Sequence, residues 1–289
     1  MIVLPRHARF VAVLLGAWLT CGACTAQESD TAEQELAEAR ALIERARGSF
    51  ERAQAVKLAV QAEKVLTAAI GSGQLPPDRR AEALRLRAST YLALREYAAA
   101  IEDSSAAIEL QPENIRNLVL RATAYELTRD LDAAIADLSR LIELPGDVIG
   151  IYGDRGRMRL ERGELEAAIA DLTREIEGDP GGISVIELRG DAYTGLGQFD
   201  QALADYRRCI EMEQQLRQEL FGTAASDGFN PAEIDLRLKV AGVMEQSGEQ
   251  VEALEEYRQI LSMEPMNAEA NSRLSALSGD ARGDPTETQ

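Results

Sequence analysis

The sequence predicts an all-α fold made of short helices in a repeating arrangement. The first observation is composition: 45% of the residues are hydrophobic but only 4% are aromatic, which favours helices that pack through small side chains. The second is a residue pattern that returns every 34 positions from Ala81 onward, which is typical of a repeat architecture. The third is apolar spacing such as Leu84, Ala88, Tyr91 and Leu92, which gives a helix one face for a core.

The N-terminus carries the features of an export signal. Arg6, His7 and Arg9 form a basic start, and residues 10–23 contain no charge. That apolar stretch is too short to cross a bilayer as a stable helix, and polar sequence follows it at once. We therefore predict a signal peptide over residues 1–23; the alternative is a buried N-terminal helix.

The end of this segment, Gly22-Ala23-Cys24, resembles a bacterial lipobox, in which small residues precede a cysteine that is acylated and becomes the new N-terminus. Cys21 departs from that pattern, which prefers Leu, Val or Ile there. The resemblance implies lipidation at Cys24, a tether over 24–30 and an outer-membrane lipoprotein that faces the periplasm. The lipid anchor would then be the chain's contact with the membrane. Cleavage after Ala26 is the alternative, and it would give a soluble periplasmic or secreted protein.

Charge and residue usage exclude several classes of function. With 31 basic and 49 acidic residues the net charge is −18, which argues against nucleic acid and anionic lipid as partners. The single His and the single Trp, His7 and Trp18, both lie in the signal segment. The exported chain therefore lacks histidine-based catalysis and metal ligation, and no cofactor is predicted. Cys209 is the free thiol that remains, so we predict no intramolecular disulfide and a buried Cys209.

The repeats begin after a degenerate first repeat over residues 31–80. In that segment we predict one helix over about 31–47, a second over about 50–70, and then a loop. Four repeats then run without a gap, and a fifth follows after an interruption. The five repeats are 81–114, 115–148, 149–182, 183–216 and 234–267.

Four positions, counted from the first residue of each repeat, carry the pattern. Position eight is small, position eleven is mostly Tyr, position twenty is always Ala, and position thirty-two is mostly Pro. Position eight is Ala88, Ala122, Gly156, Gly190 and Ala241, and position twenty is Ala100, Ala134, Ala168, Ala202 and Ala253. Position eleven is Tyr91, Tyr125, Arg159, Tyr193 and Met244, and position thirty-two is Pro112, Gly146 (beside Pro145), Pro180, Gln214 and Pro265.

This pattern resembles the tetratricopeptide repeat. Small residues let two helices cross closely, and Pro ends the second helix before the next repeat. The resemblance implies a right-handed α-solenoid of antiparallel helix pairs with five clear repeats. It also implies that the first helix of each pair lines a concave groove through positions two, five, nine, twelve and thirteen.

Two segments flank the fifth repeat. Residues 217–233 break the 34-residue phase, and we interpret them as an insert whose Phe221 and Phe229 either contact a partner or simply pack. Residues 268–278 predict a helix that caps the last repeat, and 279–289 read as a disordered tail.

Charged residues at positions seven and twenty-three predict a structural ladder. The first four repeats carry Arg at position seven and Asp at position twenty-three, and the fifth repeat changes both, to Val240 and Glu256. Because Arg can bond a carboxylate through two donors, we predict Arg–Asp contacts that fix helix register. The alternative is independent solvated charges. The residues are Arg87, Arg121, Arg155, Arg189, Asp103, Asp137, Asp171 and Asp205.

The predicted groove positions are mildly acidic. They hold seven acids, Glu82, Glu126, Glu161, Glu187, Asp191, Asp235 and Glu245, and three bases, Arg85, Arg116 and Arg157. The Lys and Asn that clamp a terminal carboxylate in some members of the family are absent from positions five and nine. An acidic groove favours a basic or neutral partner segment, and an unoccupied, solvated face is the alternative.

Together these features predict a non-catalytic protein–protein interaction scaffold in the bacterial cell envelope, which binds a protein or peptide. A structural or oligomerising envelope protein without a soluble partner is the main alternative, and the oligomeric state stays open. An enzyme is disfavoured because motifs for phosphate, metal or nucleophile chemistry are missing from the sequence.

Overall fold

The computed structural model describes residues 30–145, 150–222 and 230–280. Every regular element in these stretches is a helix, and the helices form two compact bodies, one within residues 1–147 and one within 148–289. Within the described residues, no helix combines the length and apolar character needed to span a bilayer. The predicted signal peptide, Cys24 and Phe229 lie outside the described residues.

The N-terminal body consists of six helices in the described residues. Each helix from α2 to α5 packs against the next one along the chain. The bounds of the first two helices lie within two residues of those predicted from sequence, 31–47 and 50–70. The bounds are α1 30–47, α2 Arg52–Gly71, α3 Pro77–Leu94, α4 Tyr97–Leu110, α5 Ile115–Leu127 and α6 Leu131–Glu143.

The C-terminal body follows the same plan, with each helix packed against the next. Its last helix packs on α12, where the sequence predicts a cap. The bounds are α7 Ile151–Glu161, α8 Leu165–Gly178, α9 Ile183–Gly195, α10 Phe199–Phe221, α11 Pro231–Ser247, α12 Gln250–Met263 and α13 Ala268–Asp280.

The small residues lie where the two helices of a pair cross. The five alanines at position twenty are fully buried, and so is Ala88 at position eight. At Gly190 the approach is closest, since an added Cβ would lie 2.7 Å from the Cε1 atom of Tyr206. At Gly156 an added Cβ would lie 2.8 Å from the Cγ atom of Leu172. The crossings therefore require small side chains for steric reasons.

The turn between the two helices of each pair has one conformation throughout. Position fifteen is left-handed in all five repeats, with φ of 64° at Arg95 and Arg129, 78° at Gly163, 70° at Gly197 and 90° at Gly248. The next amide donates to the carbonyl of position eleven in each case, for example Glu96 to Tyr91 at 2.8 Å. This is the Schellman arrangement, which satisfies the last carbonyls of the first helix.

The interruption before the fifth repeat has a local cause. Where the other repeats have Pro near position thirty-two, repeat four has Gln214, so nothing stops the helix and α10 continues to Phe221. Asn230 then caps α11 by accepting from the Ala232 amide, and Pro231 begins the helix. The predicted insert 217–233 is therefore helical at both ends in the described residues, and Phe221 is exposed on α10.

The core is mainly aliphatic, with two buried tyrosines, and contains the remaining thiol. Cys209 is fully buried, and its Sγ atom lies 3.5 Å from the carbonyl oxygen of Ile183. Burial raises the pKa of the Cys209 thiol to about 12. Since the thiolate is the reactive form, this cysteine acts as a small core residue, as the sequence predicts.

Candidate partner-binding surface

The arginines at position seven and the aspartates at position twenty-three lie in contact in the first four repeats. Each guanidinium donates from Nε and Nη2 to the two carboxylate oxygens, with all eight distances between 2.6 and 2.8 Å. The partners are sixteen residues apart, so each pair closes within one repeat. The aspartates are buried, at 4–6% exposure. The pairs therefore join the first helix of a repeat to its second helix through two parallel hydrogen bonds.

Each ladder arginine also stacks on a tyrosine. The guanidinium carbon lies 5.8–5.9 Å from the ring centroids of Tyr91, Tyr125 and Tyr193, which are half-buried at position eleven. Repeat three has Arg159 at that position, and Tyr152 supplies the ring instead, at 5.8 Å. Arg159 turns to the ladder and donates to Asp171 at 2.7 Å. The tyrosines thus position the arginines as well as filling space.

The fifth repeat keeps the link by another route. Arg237, one turn before position seven, donates to Glu256 at 3.0 Å and also pairs with the buried Glu233. Gln214 of the extended α10 donates to the same Glu233 at 2.8 Å. The longer glutamate at position twenty-three reaches this displaced arginine. The residues at positions seven and twenty-three do not predict that Arg237 takes the place of the ladder arginine, because Arg237 lies at neither position.

The predicted groove residues lie on the first helices of the pairs. In the N-terminal body these are α3 and α5, which contact each other, and in the C-terminal body α7 contacts α9. Each body therefore presents neighbouring first helices.

In the C-terminal body one lysine forms ion pairs with two of the predicted acids. Lys239 Nζ lies 2.7 Å from Glu187 and 2.6 Å from Asp191, so α11 is joined to α9. Tyr206 donates to the same Asp191 at 2.7 Å, and Lys239 lies 5.5 Å from the Tyr206 ring centroid. Burial raises the pKa of Tyr206, so its hydroxyl stays protonated and can donate.

Other acids of this body are also engaged. Glu161 pairs with Arg157 at 3.3 Å, while Glu245 accepts from Tyr257 and lies 3.5 Å from Arg273. Asp235 is exposed and makes no ion pair with the described residues. The acidic character predicted from sequence is therefore reduced, and what remains faces solvent at Asp235.

The N-terminal body has a different balance. Glu82 is held by Arg40 at 2.6 Å and by Arg79 at 3.1 Å. Burial raises the pKa of Glu82, but the hydrogen bond and charge of Arg40 outweigh this and leave the pKa lowered. Arg85 and Arg116 make no ion pair within the described part of the chain. Glu126 lies half-buried on α5.

The ion pairs at Arg40, Arg79, Lys239 and Arg273 were not predicted. Lys239 lies at position six, Arg40 lies in α1, Arg79 precedes the first clear repeat and Arg273 lies in the capping helix. A count at fixed positions within repeats cannot find partners from neighbouring helices.

Replacing Lys239 with Met is expected to lower the free energy of unfolding by about 1 kcal/mol, because two carboxylates lose their cation while they stay partly solvated. Urea denaturation measures the loss, which should shrink at high salt. Lys57→Met is the matched control, since Lys57 is exposed on α2 without an ion pair among the described residues. Equal effects of the two substitutions would contradict a linking role for Lys239.

The comparisons with known proteins agree with this geometry. The family model described as the tetratricopeptide repeat matches residues 81–114 and 183–216. No curated protein matches the chain. Among solved structures it is similar to YrrB, described as a TPR protein with an unusual peptide-binding site, with TM-score 0.57 and 14% identity over 72% of this chain and 96% of that one.

Two further solved structures show the same likeness. MamA from Desulfovibrio magneticus RS-1 has TM-score 0.54 and 14% identity over 65% of this chain and 97% of its own. A tetratricopeptide repeat protein from Parabacteroides merdae has TM-score 0.51 and 16% identity over 83% of this chain and 99% of its own. The chain thus carries tetratricopeptide repeats, and the predicted all-α fold of that class is confirmed. This fold supports a role as a protein–protein interaction scaffold.

Proposed function

We propose that the protein is a non-catalytic scaffold that binds a protein or peptide on the faces of its first helices. The observation that carries this proposal is that some charged side chains are buried in ion pairs within a repeat, while others are exposed on the first helices. The ladder pairs are buried between the two helices of each repeat and fix them relative to each other. Residues on the outer face of the first helices, such as Asp235 and Arg116, stay available to a partner.

For the C-terminal body we propose a basic or neutral partner segment. This body has five predicted groove acids and one predicted groove base, Arg157. When Lys239 and Arg273 are counted as further bases, an excess of negative charge remains. Complementary charge would steer such a segment to the first helices. Phe221, exposed at the end of α10, is a further candidate contact, and its role with Phe229 remains part of this proposal.

We also propose that the scaffold works in the bacterial cell envelope. The support is the sequence alone: the basic start, the uncharged residues 10–23 and the Gly22-Ala23-Cys24 motif. Acylation at Cys24 would anchor the protein to the outer membrane, facing the periplasm. Incorporation of labelled fatty acid that is lost in Cys24→Ala is the expected result. Label that survives the substitution would overturn the lipoprotein assignment.

A photo-crosslinking amino acid placed at Asp235, on a first helix, should form a covalent adduct with a partner in envelope fractions. The matched control carries the same amino acid at Gln259, which is exposed on the second helix of the same repeat. Adducts of equal yield at both positions, or none at Asp235, would contradict binding at the first helices. An adduct with a second copy of the chain would favour an oligomerising role instead.

A further inference from the structure

An apolar pocket of about 290 Å³ opens between α1, α2 and α3 in the N-terminal body. Ile43 and Ala46 line it from α1, Ala55 and Val56 from α2, and Ser89 and Ala93 from α3. A volume of this size holds one or two side chains but is small for a cofactor. The pocket therefore suits a short peptide segment.

The pocket exists because small side chains occupy sites where larger ones would fill the space between three helices. The short side chains of Ala46, Ala55 and Ala93 leave space in the wall of the pocket. Val56 remains 44% exposed at its edge. Phe50, on the turn between α1 and α2, is fully exposed. Apolar groups left open to water in this way gain free energy when a partner covers them.

Two arginines line this pocket, and a third lies next to it on α3. Arg85, Ser89 and Ala93 recur every four residues on one face of α3, so Arg85 lies one turn beyond the part of α3 that lines the pocket. Arg52 lines the pocket, and neither it nor Arg85 makes an ion pair within the described residues. Arg47, also in the wall, pairs with Glu44 at 2.9 Å.

Arg85 lies near one carboxylate, Glu82, and near three other arginines. Burial lowers its pKa, the nearby Glu82 raises it, and Arg116, Arg40 and Arg47 lower it further. Glu82 itself is already held by Arg40 and Arg79. Because a guanidinium stays charged in any protein environment, Arg85 remains a half-buried cation without an ion pair to the described residues.

We propose that this pocket and the adjoining arginines bind an acidic peptide segment with one aliphatic side chain. The aliphatic group enters between α1, α2 and α3, and flanking carboxylates bond to Arg85 and Arg52. The inference rests on the proposed scaffold function and deepens it. It also assigns the N-terminal body a segment of opposite charge to the one proposed for the C-terminal body.

Three short fluorescein-labelled peptides test the proposal by fluorescence anisotropy with the full chain. The first has a central Leu-Ile pair flanked by Asp and Glu, the second replaces the acids with Lys, and the third replaces Leu-Ile with Ser-Ser. The first peptide should bind about ten-fold or more tightly than either of the others. Raising the salt concentration should weaken it.

Two substitutions and one control locate the site. Arg85→Gln removes the cation, and Ala55→Phe fills the pocket. Each substitution should weaken binding of the acidic peptide about ten-fold. Arg207→Gln removes the same charge from exposed α10, where no ion pair is made with the described residues, and should change nothing. Circular dichroism melting checks that each variant keeps its fold, and Ser89→Phe offers a second way to fill the pocket.

The outcomes separate this inference from the function on which it rests. Equal or tighter binding of the basic peptide, or equal loss in all three variants, would overturn it. Failure of all three peptides while the Asp235 crosslink persists would overturn the inference and leave the scaffold function standing. A dimer in solution that Ala55→Phe dissociates would assign the pocket to a second copy of the chain instead.

Discussion

Replacing Arg189 with Met is expected to lower the free energy of unfolding by about 3–5 kcal/mol, because Asp205 stays buried while its two charge-assisted hydrogen bonds disappear. Asp205 is only 5% exposed, so water cannot replace the guanidinium. Arg189 also donates to Thr173 of the preceding repeat at 3.2 Å, and that bond is lost as well. Urea denaturation monitored by circular dichroism measures the change.

The chain contains its own control for this result. In repeat three Asp171 is held by two arginines, so Arg155→Met leaves Arg159 in place at 2.7 Å and should cost clearly less. The double substitution Arg189→Met with Asp205→Leu should recover much of the stability, since no unpaired buried charge remains. A single substitution that costs less than about 1 kcal/mol would show that the pair behaves like a solvated surface ion pair.

Gly190→Ala is expected to destabilise the protein by about 1–2 kcal/mol, since the overpacking cost exceeds the gain in helix propensity. The added Cβ would meet Tyr206 at 2.7, 3.0 and 3.1 Å from three ring atoms. The ring cannot easily move aside, because its hydroxyl donates to Asp191 and lies 3.2 Å from Thr194 Oγ1. The midpoint of urea denaturation should fall accordingly.

Gly242→Ala gives the matched comparison. Gly242 also lies inside a helix, α11, but its added Cβ would have no neighbour within 4 Å. The same substitution there should stabilise the protein by about 0.5–1 kcal/mol through reduced backbone entropy of the unfolded chain. If both alanines changed stability in the same direction, the close crossing at Gly190 would not be limiting.

The sequence was sufficient for the features that repeat. Position eight and position twenty are set by steric contact within one helix pair, so their side chains recur and reveal the period. The Arg–Asp contacts follow the same logic, because both partners lie inside one repeat. Local rules of this kind hold wherever a contact joins fixed positions of the same unit.

Contacts between different elements were not predictable in the same way. The displaced Arg237 and the bridging Lys239 each depend on how one helix approaches another, and no single repeat records that approach. The charge balance of the N-terminal groove differs from the predicted one for the same reason. Arg40 and Arg79 lie outside the clear repeats, and both form ion pairs with Glu82. The left-handed conformation of Arg95 and Arg129 was also not predicted. The other three repeats have Gly at this position, fifteen, and an arginine there does not indicate a left-handed residue.

The closure of each Arg–Asp pair within a single repeat bears on how such an array can grow. A duplication of 34 residues copies both members of the pair together, so the new copy arrives with its helices already fixed relative to each other. Deleting a whole repeat likewise removes an acid and its base at once and leaves no buried carboxylate behind. Array length can therefore change by whole repeats at little electrostatic cost, whereas an insertion inside a repeat separates the partners. The interruption in this chain, between Leu216 and Ile234, falls outside every Arg–Asp pair.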